Sequence, residues 1–584
     1  MKDLQNELSS VLAKAFEAAG YDPALAVVKP SDRPDLCEYQ CNGAMAGAKL
    51  YHKAPFMIAE DVLNHLPENG VIGRAEVVKP GFINLDSAPA FVSACVEELE
   101  EDGRLIIPQA ASPKKIIIDY GGANVAKPLH IGHLRSAIIG ESLKRICLFA
   151  GHEAVGDVHL GDWGLQMGQI IAELQERSPE LVYFDMDFQG DYPSDPPFTI
   201  SELEEIYPCA SGKCKTDPVF AEKAHQATLD LQSGRAGYLA IWNHVLSVSI
   251  ADLKKNYDAL DVHFELWKKE SDAQPYIPAM LEDMKKQGIL KKSEGALIVD
   301  IAEDSDKKEL PPCIVVKSDG ATLYSTTDLA TLVERRMLFD PDHVIYVVDK
   351  RQELHFIQVF RTARKAHIVK DDTELTFLGF GTMNGKDGQP YKTRSGGVMR
   401  LETLISEINE AVLQRMQENR EFDPAEAEKT AGIIGLAALK YGDLSNQATK
   451  DYIFDISRFT SFEGNTGPYI LYTIVRIKSI LSKSGEVYAD ALCFTGEESE
   501  KQILIMLSRF SEVVENAYLE LAPHKICSYI YDLANAFNVF YHEVRILAEE
   551  DPVKKNSYLS LLQLTGRILE QCISLLGFAA PDRM

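Results

Sequence analysis

The chain has 584 residues and a formal net charge of −27 at pH 7. This length exceeds that of one ordinary domain and predicts three or four domains, while 46% hydrophobic and 25% charged residues are typical of globular proteins. The negative charge argues against non-specific binding to DNA or other polyanions, although local basic patches can still hold phosphates.

Sequence features of membrane, secreted and zinc proteins are missing. No apolar run is long enough to span a bilayer, and the first ten residues, MKDLQNELSS, contain no apolar signal-peptide core. Ten scattered cysteines fit reduced thiols rather than a disulfide framework. The close pairs Cys37/Cys41 and Cys209/Cys214 have no second Cys or His pair at zinc-site spacing. We therefore expect a cytoplasmic protein without a structural metal site.

Residues 1–110 read as a separate N-terminal α/β domain. The segment LQNELSSVLAKAFEAAG has helical periodicity and ends on Gly20, which suits a helix stop. A second helical stretch covers residues 55–65, GVIGRAEVVKPGFINL reads as strand and turn, and DSAPAFVSACVEELEED closes the domain as a helix. No residue pattern in this part indicates a chemistry.

Residues 115–145 predict a strand, a Gly-rich turn and a helix. Three isoleucines (116–118) form the apolar run of a strand buried on both faces of a parallel sheet. Gly121 and its neighbour Gly122 end the run, and helical spacing begins at His130. His130, Gly132 and His133 thus lie at a helix start, where backbone N–H groups and the helix dipole favour phosphate. The alternative is that the two histidines only cap the helix.

Further strand–turn–helix units follow in the region 111–400. Val344 to Val348 form a strand in one unit, and LTFLGFG begins another. Such recurrence favours a Rossmann-like, doubly wound parallel sheet. Residues 165–300 are mostly helical and read as an insertion between the halves of the sheet, after which IVDIAE and PPCIVVKSDG return to strands. From residue 401 the chain is almost entirely helical, with a linker at 401–454 and a helical bundle at 455–584.

The string ANVAKPLHIGHLRS (123–136) resembles the first signature of the class I aminoacyl-tRNA synthetases. Asn124, Lys127 and Pro128 make it similar specifically to the arginyl-tRNA synthetases. GDWG (161–164), PYILYTIVR and the final GFAAPDRM are also similar to that family, so the resemblance covers essentially the whole chain. The resemblance implies ATP-dependent activation of L-arginine to arginyl-adenylate and transfer to the 3′-terminal adenosine of tRNA(Arg), with Mg²⁺ accompanying ATP.

The resemblance also implies roles for the domains. The N-terminal domain is expected to touch the outer corner of the tRNA, although a docking domain without RNA contact stays open. The bundle at 455–584 is expected to bind the anticodon, with Arg476 and Lys478 as candidate contacts. Basic residues are more often a solvated face than a binding site. The insertion lacks the bulk of a full editing domain, and the protein is expected to act as a monomer.

In-line attack of a carboxylate on the α-phosphorus of ATP needs alignment and hydrogen-bond donors to the phosphates. We expect His130 and His133 to donate to the triphosphate, and Gly132 to leave room for the adenine-ribose. Class I enzymes usually add a KMSKS loop, whose place is taken here by YKTRSGG (391–397). The second lysine of KMSKS has no clear counterpart in YKTRSGG. The resemblance to the family implies that Lys127 supplies the missing positive charge. The residues expected to bind ATP or act in catalysis are Lys127, His130, Gly132, His133, Lys392 and Arg394.

A guanidinium is planar and permanently charged, so a buried site for it needs carboxylate oxygens in fork geometry. Asp119, at the end of the signature strand, and Asp328 match the guanidinium-binding positions of the family. Tyr324 is expected to cover the substrate side chain, Gln352 to make a further side-chain contact, and Asn124 to hold the α-amino or carboxylate group. Taken alone, Asp328 also suits a helix N-cap.

Two other functions stay open at this point. A small-molecule adenylyltransferase uses an HxGH turn as well, but it does not need a long helical bundle or an additional N-terminal domain. A non-catalytic tRNA-binding paralogue would be expected to have lost His130, His133 or Lys127, and all three are present.

Overall fold

The fold is taken from a computed structural model that describes residues 4–33, 35–101, 104–105, 107, 109–318, 320–391, 399–419, 423–485, 492 and 494–584. The chain divides into two compact units that do not follow chain order. One comprises residues 1–109, 469–573 and 580–584, and the other residues 110–468 and 574–579.

The N-terminal part combines helices with an antiparallel sheet of strand order β1–β2–β4–β3. Its helices are amphipathic, and α1 buries Leu8, Leu12 and Phe16 on one face. A two-stranded hairpin, β5–β6, ends this part. The elements are α1 (Leu4–Ala18), a 3₁₀ turn (Pro23–Leu25), β1 (Val28–Pro30), β2 (Tyr39–Cys41), α2 (Gly43–Tyr51), α3 (Pro55–Asn64), β3 (Ile72–Val78), β4 (Phe82–Ser87), α4 (Pro89–Glu97), β5 (Glu100–Glu101) and β6 (Arg104–Leu105).

The unit formed by residues 110–468 is built on a four-stranded parallel sheet, with helices between and after its strands. Its elements are β7 (Lys115–Asp119), α5 (Ile131–Phe149), β8 (Glu153–Asp157), α6 (Leu165–Arg177), α7 (Ile200–Thr216), α8 (Pro218–Gln232), α9 (Ala236–Ala259), α10 (Glu270–Ala273), α11 (Ile277–Lys286), β9 (Lys291–Ser293), β10 (Ala296–Val299), β11 (Cys313–Val316), α12 (Tyr324–Leu338), β12 (His343–Asp349), α13 (Glu353–Lys365), β13 (Glu374–Phe380), β14 (Met383–Asn384), α14 (Leu401–Asn419), α15 (Pro424–Leu444), β15 (Tyr452–Ile453) and α16 (Ile456–Phe459). Three 3₁₀ turns lie at Val182–Phe184, Gln274–Tyr276 and Lys350–Gln352.

The parallel sheet has the strand order β13–β12–β7–β8. The chain moves outward in one direction from β7 to β8 and in the other from β12 to β13, so β7 and β12 flank the point where the winding direction changes. Ile116, Ile117 and Ile118 of β7 are all buried, as the apolar run predicted, and α12 and α13 pack Leu329 and Phe356 into the core beside β12. The predicted doubly wound α/β fold is confirmed. Ligands of such sheets bind at the carboxyl ends of the strands, at this switch point.

The two segments after the insertion do form strands, but not in the parallel sheet. The strand in IVDIAE pairs antiparallel with that in PPCIVVKSDG, and with β9, in a separate sheet of order β11–β10–β9. The parallel sheet therefore receives no strand between β8 and β12.

The last part of the chain is helical, as predicted. Its elements are α17 (Gly467–Ser484), α18 (Glu498–Ser508), α19 (Phe510–Leu519), α20 (His524–Glu543), a 3₁₀ turn (Ile546–Ala548) and α21 (Pro552–Leu575). Within its unit, α18 packs against α4 of the N-terminal part. Glu38 and Lys501 form a salt bridge there, with side chains only 7% and 11% exposed. The N-terminal domain therefore shares a packed interior with the bundle.

Candidate active site at the switch point

The two signature histidines cap the helix that they begin. His130 is the N-cap of α5, and its Nδ1 accepts a hydrogen bond from the Gly132 N–H at 3.0 Å. The His133 Nδ1 accepts from the His130 N–H at 3.2 Å, which completes a capping box. The capping alternative is therefore part of the structure. It also sets the tautomer, because an Nδ1 that accepts leaves the proton of a neutral ring on Nε2.

Both imidazoles are held neutral. Burial lowers the pKa of His133 to about 3, and the neighbouring His130 ring adds to the shift, because the two rings do not both carry a proton. Burial and the nearby Lys127 ammonium lower the pKa of His130. The ring centroids lie 3.9 Å apart. Each histidine thus offers an Nε2–H donor rather than a full positive charge, and the pair forms a two-donor site at a helix N-terminus.

Two glycines allow this local geometry. A Cβ at Gly132 would lie 2.8 Å from the Cε1 of His130, so a side chain there would displace the capping ring. Gly121 has a φ of +70°, and a Cβ on it would lie 2.8 Å from the Phe264 ring. Both positions keep the turn between β7 and α5 close to its neighbours.

The structure describes two of the other residues expected near ATP and the amino acid's main-chain groups. Lys127 is half-buried, and its Nζ lies 4.5 Å from the centroid of the Tyr207 ring. Asn124 is exposed and pairs as a parallel bridge with Gly161, which belongs to the GDWG segment. Lys392 and Arg394 lie outside the described residues.

Asp119 is engaged by an internal guanidinium. Arg335 on α12 donates from one terminal nitrogen to the Asp119 Oδ2 at 2.5 Å and to the Asp157 Oδ2 at 2.6 Å. The two aspartates are register partners at the ends of β7 and β8, and Tyr346 is the register partner of Asp119 on β12. Burial raises the pKa of Asp119, while the Arg335 charge opposes that shift. One Asp119 oxygen is thus committed to Arg335.

Asp119 and Asp157 also belong to the one group of three potential metal ligands found in the described part of the chain, with His159 as the third. The ligand atoms lie within 4.8 Å of one another. Arg335 already donates to both carboxylates, and its positive charge opposes a dication at the same place. The arrangement fits an internal ion pair rather than a metal centre.

Asp328 lies in the second turn of α12, which begins at Tyr324, so it does not act as the N-cap considered from the sequence. Its Oδ2 is 2.6 Å from the Nε2 of His355 on α13. Tyr324 is 70% exposed at the start of α12. Gln352 is also exposed and lies just before α13. Asp328, Tyr324 and Gln352 therefore belong to elements that flank β12.

Glu270 at the start of α10 is a residue that the sequence did not single out. Its half-buried carboxylate has a pKa raised to about 7, mainly by burial, with the negative charges of Asp162 and Asp328 adding to the shift. The pKa of Tyr324 is also raised, mainly by burial and in addition by the negative charge of Glu270. Since α10 packs against α12, Glu270 lies on the helix that faces the two predicted arginine-binding residues of α12, Tyr324 and Asp328. No sequence pattern marks it, because it stands among the charged residues of KKESD.

In the helical bundle, Arg476 lies among aromatic side chains. Its guanidinium carbon is 4.6 Å from the ring centroid of Tyr472 and 5.2 Å from that of Tyr541. One terminal nitrogen donates to the Asn538 Oδ1 at 2.8 Å. Tyr472 and Tyr541 are 41% and 39% exposed. Arg476 and these two rings form a cationic, aromatic surface of the kind on which unstacked bases pack.

Lys478 has a different setting from Arg476. Its Nζ forms a salt bridge of 2.6 Å with Glu570, and the side chain is 37% exposed.

No helix in the described ranges has both the length and the apolar character needed to cross a bilayer.

Comparison with known proteins accounts for nearly the whole chain. The family described as "tRNA synthetases class I (R), catalytic domain" matches residues 96–456. The "Arginyl tRNA synthetase N terminal domain" matches residues 2–86, and the "DALR anticodon binding domain" matches residues 470–584. A parallel sheet with paired histidines at the helix after β7, together with the first match, defines the catalytic domain of a class I aminoacyl-tRNA synthetase.

Relatives of full length narrow the class to one family. The chain is 60% identical to an arginine–tRNA ligase of Agathobacter rectalis and 55% identical to one of Alkaliphilus oremlandii, in both cases over 100% of each chain. The solved structure of arginyl-tRNA synthetase from Plasmodium falciparum has the same fold, with a TM-score of 0.84 at 23% identity and 100% coverage of both chains. The chain belongs to the arginyl-tRNA synthetases, and the family predicted from its motifs is confirmed.

Proposed function

We propose that the chain, an arginine–tRNA ligase by its family, performs its reaction at the carboxyl ends of β7 and β12. ATP and L-arginine form arginyl-adenylate and pyrophosphate, and a ribose hydroxyl of the 3′-terminal adenosine of tRNA(Arg) then accepts the arginyl group as AMP leaves. The observation that carries this proposal is the neutral histidine pair, whose accepting Nδ1 atoms leave two Nε2–H donors at the start of α5.

For ATP, His130 and His133 donate to the phosphate oxygens, and the Lys127 ammonium adds positive charge beside them. Neutral donors at a helix start stabilise the charge that develops as pyrophosphate leaves, without a proton transfer. The absence of a side chain at Gly132 lets the His130 ring keep its capping position, and Gly132 is proposed to leave room for the adenine-ribose. Lys392 and Arg394 are proposed for the same phosphates because YKTRSGG takes the place of the KMSKS loop of the class. Mg²⁺ enters with ATP as part of the substrate.

For arginine, Asp328 on α12 and Glu270 on α10 supply carboxylates from two helices that pack against each other, and Tyr324 covers the substrate side chain. A bound guanidinium would restore full ionisation of Glu270, whose pKa is raised by burial and by its acidic neighbours. Asp119 contributes the oxygen that Arg335 does not engage. Asn124 and Gln352 hold the main-chain groups and the side chain of the substrate.

For tRNA, the helical segment 455–584 binds the anticodon arm through the surface formed by Arg476, Tyr472 and Tyr541. Lys478 contributes positive charge at the same helix. Residues 1–110 contact the outer corner of the tRNA, and residues 401–454 connect the catalytic region 111–400 to the bundle. The protein works as a monomer in the cytoplasm.

Arginine-dependent exchange of labelled pyrophosphate into ATP, with and without tRNA, tests the function. We expect exchange with L-arginine, little exchange with lysine, and charging of tRNA(Arg) by the same preparation. Exchange with another small molecule but not with arginine would indicate an adenylyltransferase. Binding of tRNA without exchange would indicate a non-catalytic paralogue. Either result would refute the proposal.

A further inference from the structure

The contact between Lys127 and Tyr207 joins the signature segment to the insertion. Lys127 precedes α5, and its Nζ lies 4.5 Å from the centre of the Tyr207 ring on α7. The same ammonium contributes positive potential at His130 and His133. The cation therefore lies over an aromatic face, three residues before His130 along the chain.

The helix that carries Tyr207 is anchored at this place by a second contact. Glu204, one turn earlier on the same face of α7, accepts from Arg400 at 2.5 Å, and its carboxylate side chain is only 11% exposed. Arg400 pairs with His130 in an antiparallel bridge. The Leu401 N–H donates to the Leu129 carbonyl at 3.0 Å, which extends that pairing. Tyr207 is thus held against the start of α5 independently of its contact with Lys127.

We propose that Tyr207 is a positioning residue for adenylate formation, whose ring holds the Lys127 ammonium beside His130 and His133. A lysine side chain has several rotatable bonds and loses conformational entropy when it is fixed. An aromatic face attracts the ammonium without neutralising it, whereas a carboxylate would compete with the phosphates for the same charge. The ring therefore keeps the cation in place and available. This inference rests on the proposed function of Lys127 at the phosphates of ATP.

The first test compares Tyr207→Leu, which removes the aromatic face, with Tyr207→Phe, which keeps it. In arginine-dependent pyrophosphate exchange, Tyr207→Leu should lower kcat/KM for ATP by roughly 3- to 10-fold, with KM for arginine within about twofold of the unmodified chain. Tyr207→Phe should keep kcat/KM for ATP within about twofold of the value for the unmodified chain. A loss in the Phe variant equal to that in the Leu variant, or no loss in the Leu variant, would overturn the proposal.

Tyr192→Leu is the matched control. Tyr192 is a half-buried tyrosine of the same insertion, and its ring stacks on Tyr183 at 5.5 Å. Its replacement should leave exchange unchanged. Thermal unfolding of all three variants shows whether each remains folded. A loss of exchange in Tyr192→Leu equal to that in Tyr207→Leu would assign the effect to general packing of the insertion and would also overturn the proposal.

A double-mutant cycle with Lys127→Met separates this inference from the proposed function. If Tyr207 acts through Lys127, adding Tyr207→Leu to Lys127→Met should lower exchange by less than about twofold further. Independent, multiplicative losses would overturn the role of Tyr207 while leaving Lys127 in the active site. Wild-type exchange in Lys127→Met alone would overturn the proposed role of Lys127, and the inference with it.

Discussion

The proposed role of Glu270 in binding arginine predicts a pH dependence of arginine affinity whose direction follows from the structure. The pKa of Glu270 is raised to about 7, chiefly by burial and then by Asp162 and Asp328. The carboxyl group is therefore close to half-protonated at neutral pH. A protonated carboxyl group has no charge to pair with a guanidinium, and it must lose its proton before it accepts the charge-assisted hydrogen bond. Arginine affinity should thus fall as the pH drops through about 7 and level off above about 8.

The size of the effect follows from the ionised fraction. With a pKa of about 7, roughly a tenth of the Glu270 carboxyl groups are ionised at pH 6 and roughly nine tenths at pH 8. Arginine keeps its charge over this range, so KM for arginine should rise about 10-fold from pH 8 to pH 6. Glu270→Gln should abolish this pH dependence. At pH 8 the same substitution should raise KM by roughly 10- to 100-fold, because one charge-assisted hydrogen bond is lost.

The assay is pyrophosphate exchange at saturating ATP and tRNA, with arginine varied at several pH values. Glu282→Gln is the control, because Glu282 is an exposed carboxylate on the adjacent helix α11 that pairs with Lys286 at 2.8 Å. Its pH profile should match that of the unmodified chain. A constant KM between pH 6 and 8 in the unmodified chain, or an unchanged profile in Glu270→Gln, would refute the reasoning.

Three further predictions concern the histidines, the internal guanidinium and the bundle. Replacing His130 or His133 by Ala should each lower arginine-dependent exchange by roughly 10²- to 10³-fold with KM for arginine little changed, and wild-type exchange rates would place the phosphate site elsewhere. Arg335→Met leaves two buried carboxylates without their cation and should lower the free energy of unfolding by about 3–5 kcal/mol in urea denaturation, and a loss below about 1 kcal/mol would contradict this. Arg476→Glu should raise KM for tRNA by roughly 10-fold or more, and Lys478→Glu by less because Glu570 already holds that lysine. Equal increases in KM for tRNA in the two variants would contradict the expected difference between Arg476 and Lys478.

The elements around the signature could be predicted because their signals are local. The isoleucine run at 116–118 and the helical spacing after His130 both report on residues within a few positions, and the structure has β7 and α5 there. The parallel sheet followed from repetition of the same unit. The helices at the end of the chain could be predicted from long amphipathic patterns, because such a pattern can be recognised without knowing what the helix packs against.

The rest could not be predicted, because it depends on contacts between distant positions. Arg335 reaches Asp119 across 216 positions, and only the packing of α12 against the sheet, with Leu329 and Ile117 in one core, brings the two together. Glu270 reaches the proposed site because the start of α10 lies beside the segment that follows β8. The Glu270 N–H donates there to the Leu160 carbonyl at 3.0 Å. In the same way, strand propensity identified the strand in PPCIVVKSDG but not its partners, which lie outside the parallel sheet.

The Arg335 contact bears on how the proposed site prefers arginine to lysine. One nitrogen of the Arg335 guanidinium bridges the Asp119 and Asp157 carboxylates at 2.5 and 2.6 Å. An ammonium could make the same single-nitrogen bridge, so the preference for arginine has to come from a two-nitrogen fork at the substrate site. A lysine ammonium carries the same charge but cannot span two carboxylates as a fork. In the proposed Asp328 and Glu270 pair, lysine would leave one buried acceptor unpaired. A pocket built on such hydrogen bonds rejects the wrong substrate by about 10⁴-fold without hydrolysis. The insertion can then serve other purposes, and its helix α7 contacts the signature segment through Tyr207 and Glu204. We therefore expect discrimination between arginine and lysine to occur at the first binding step.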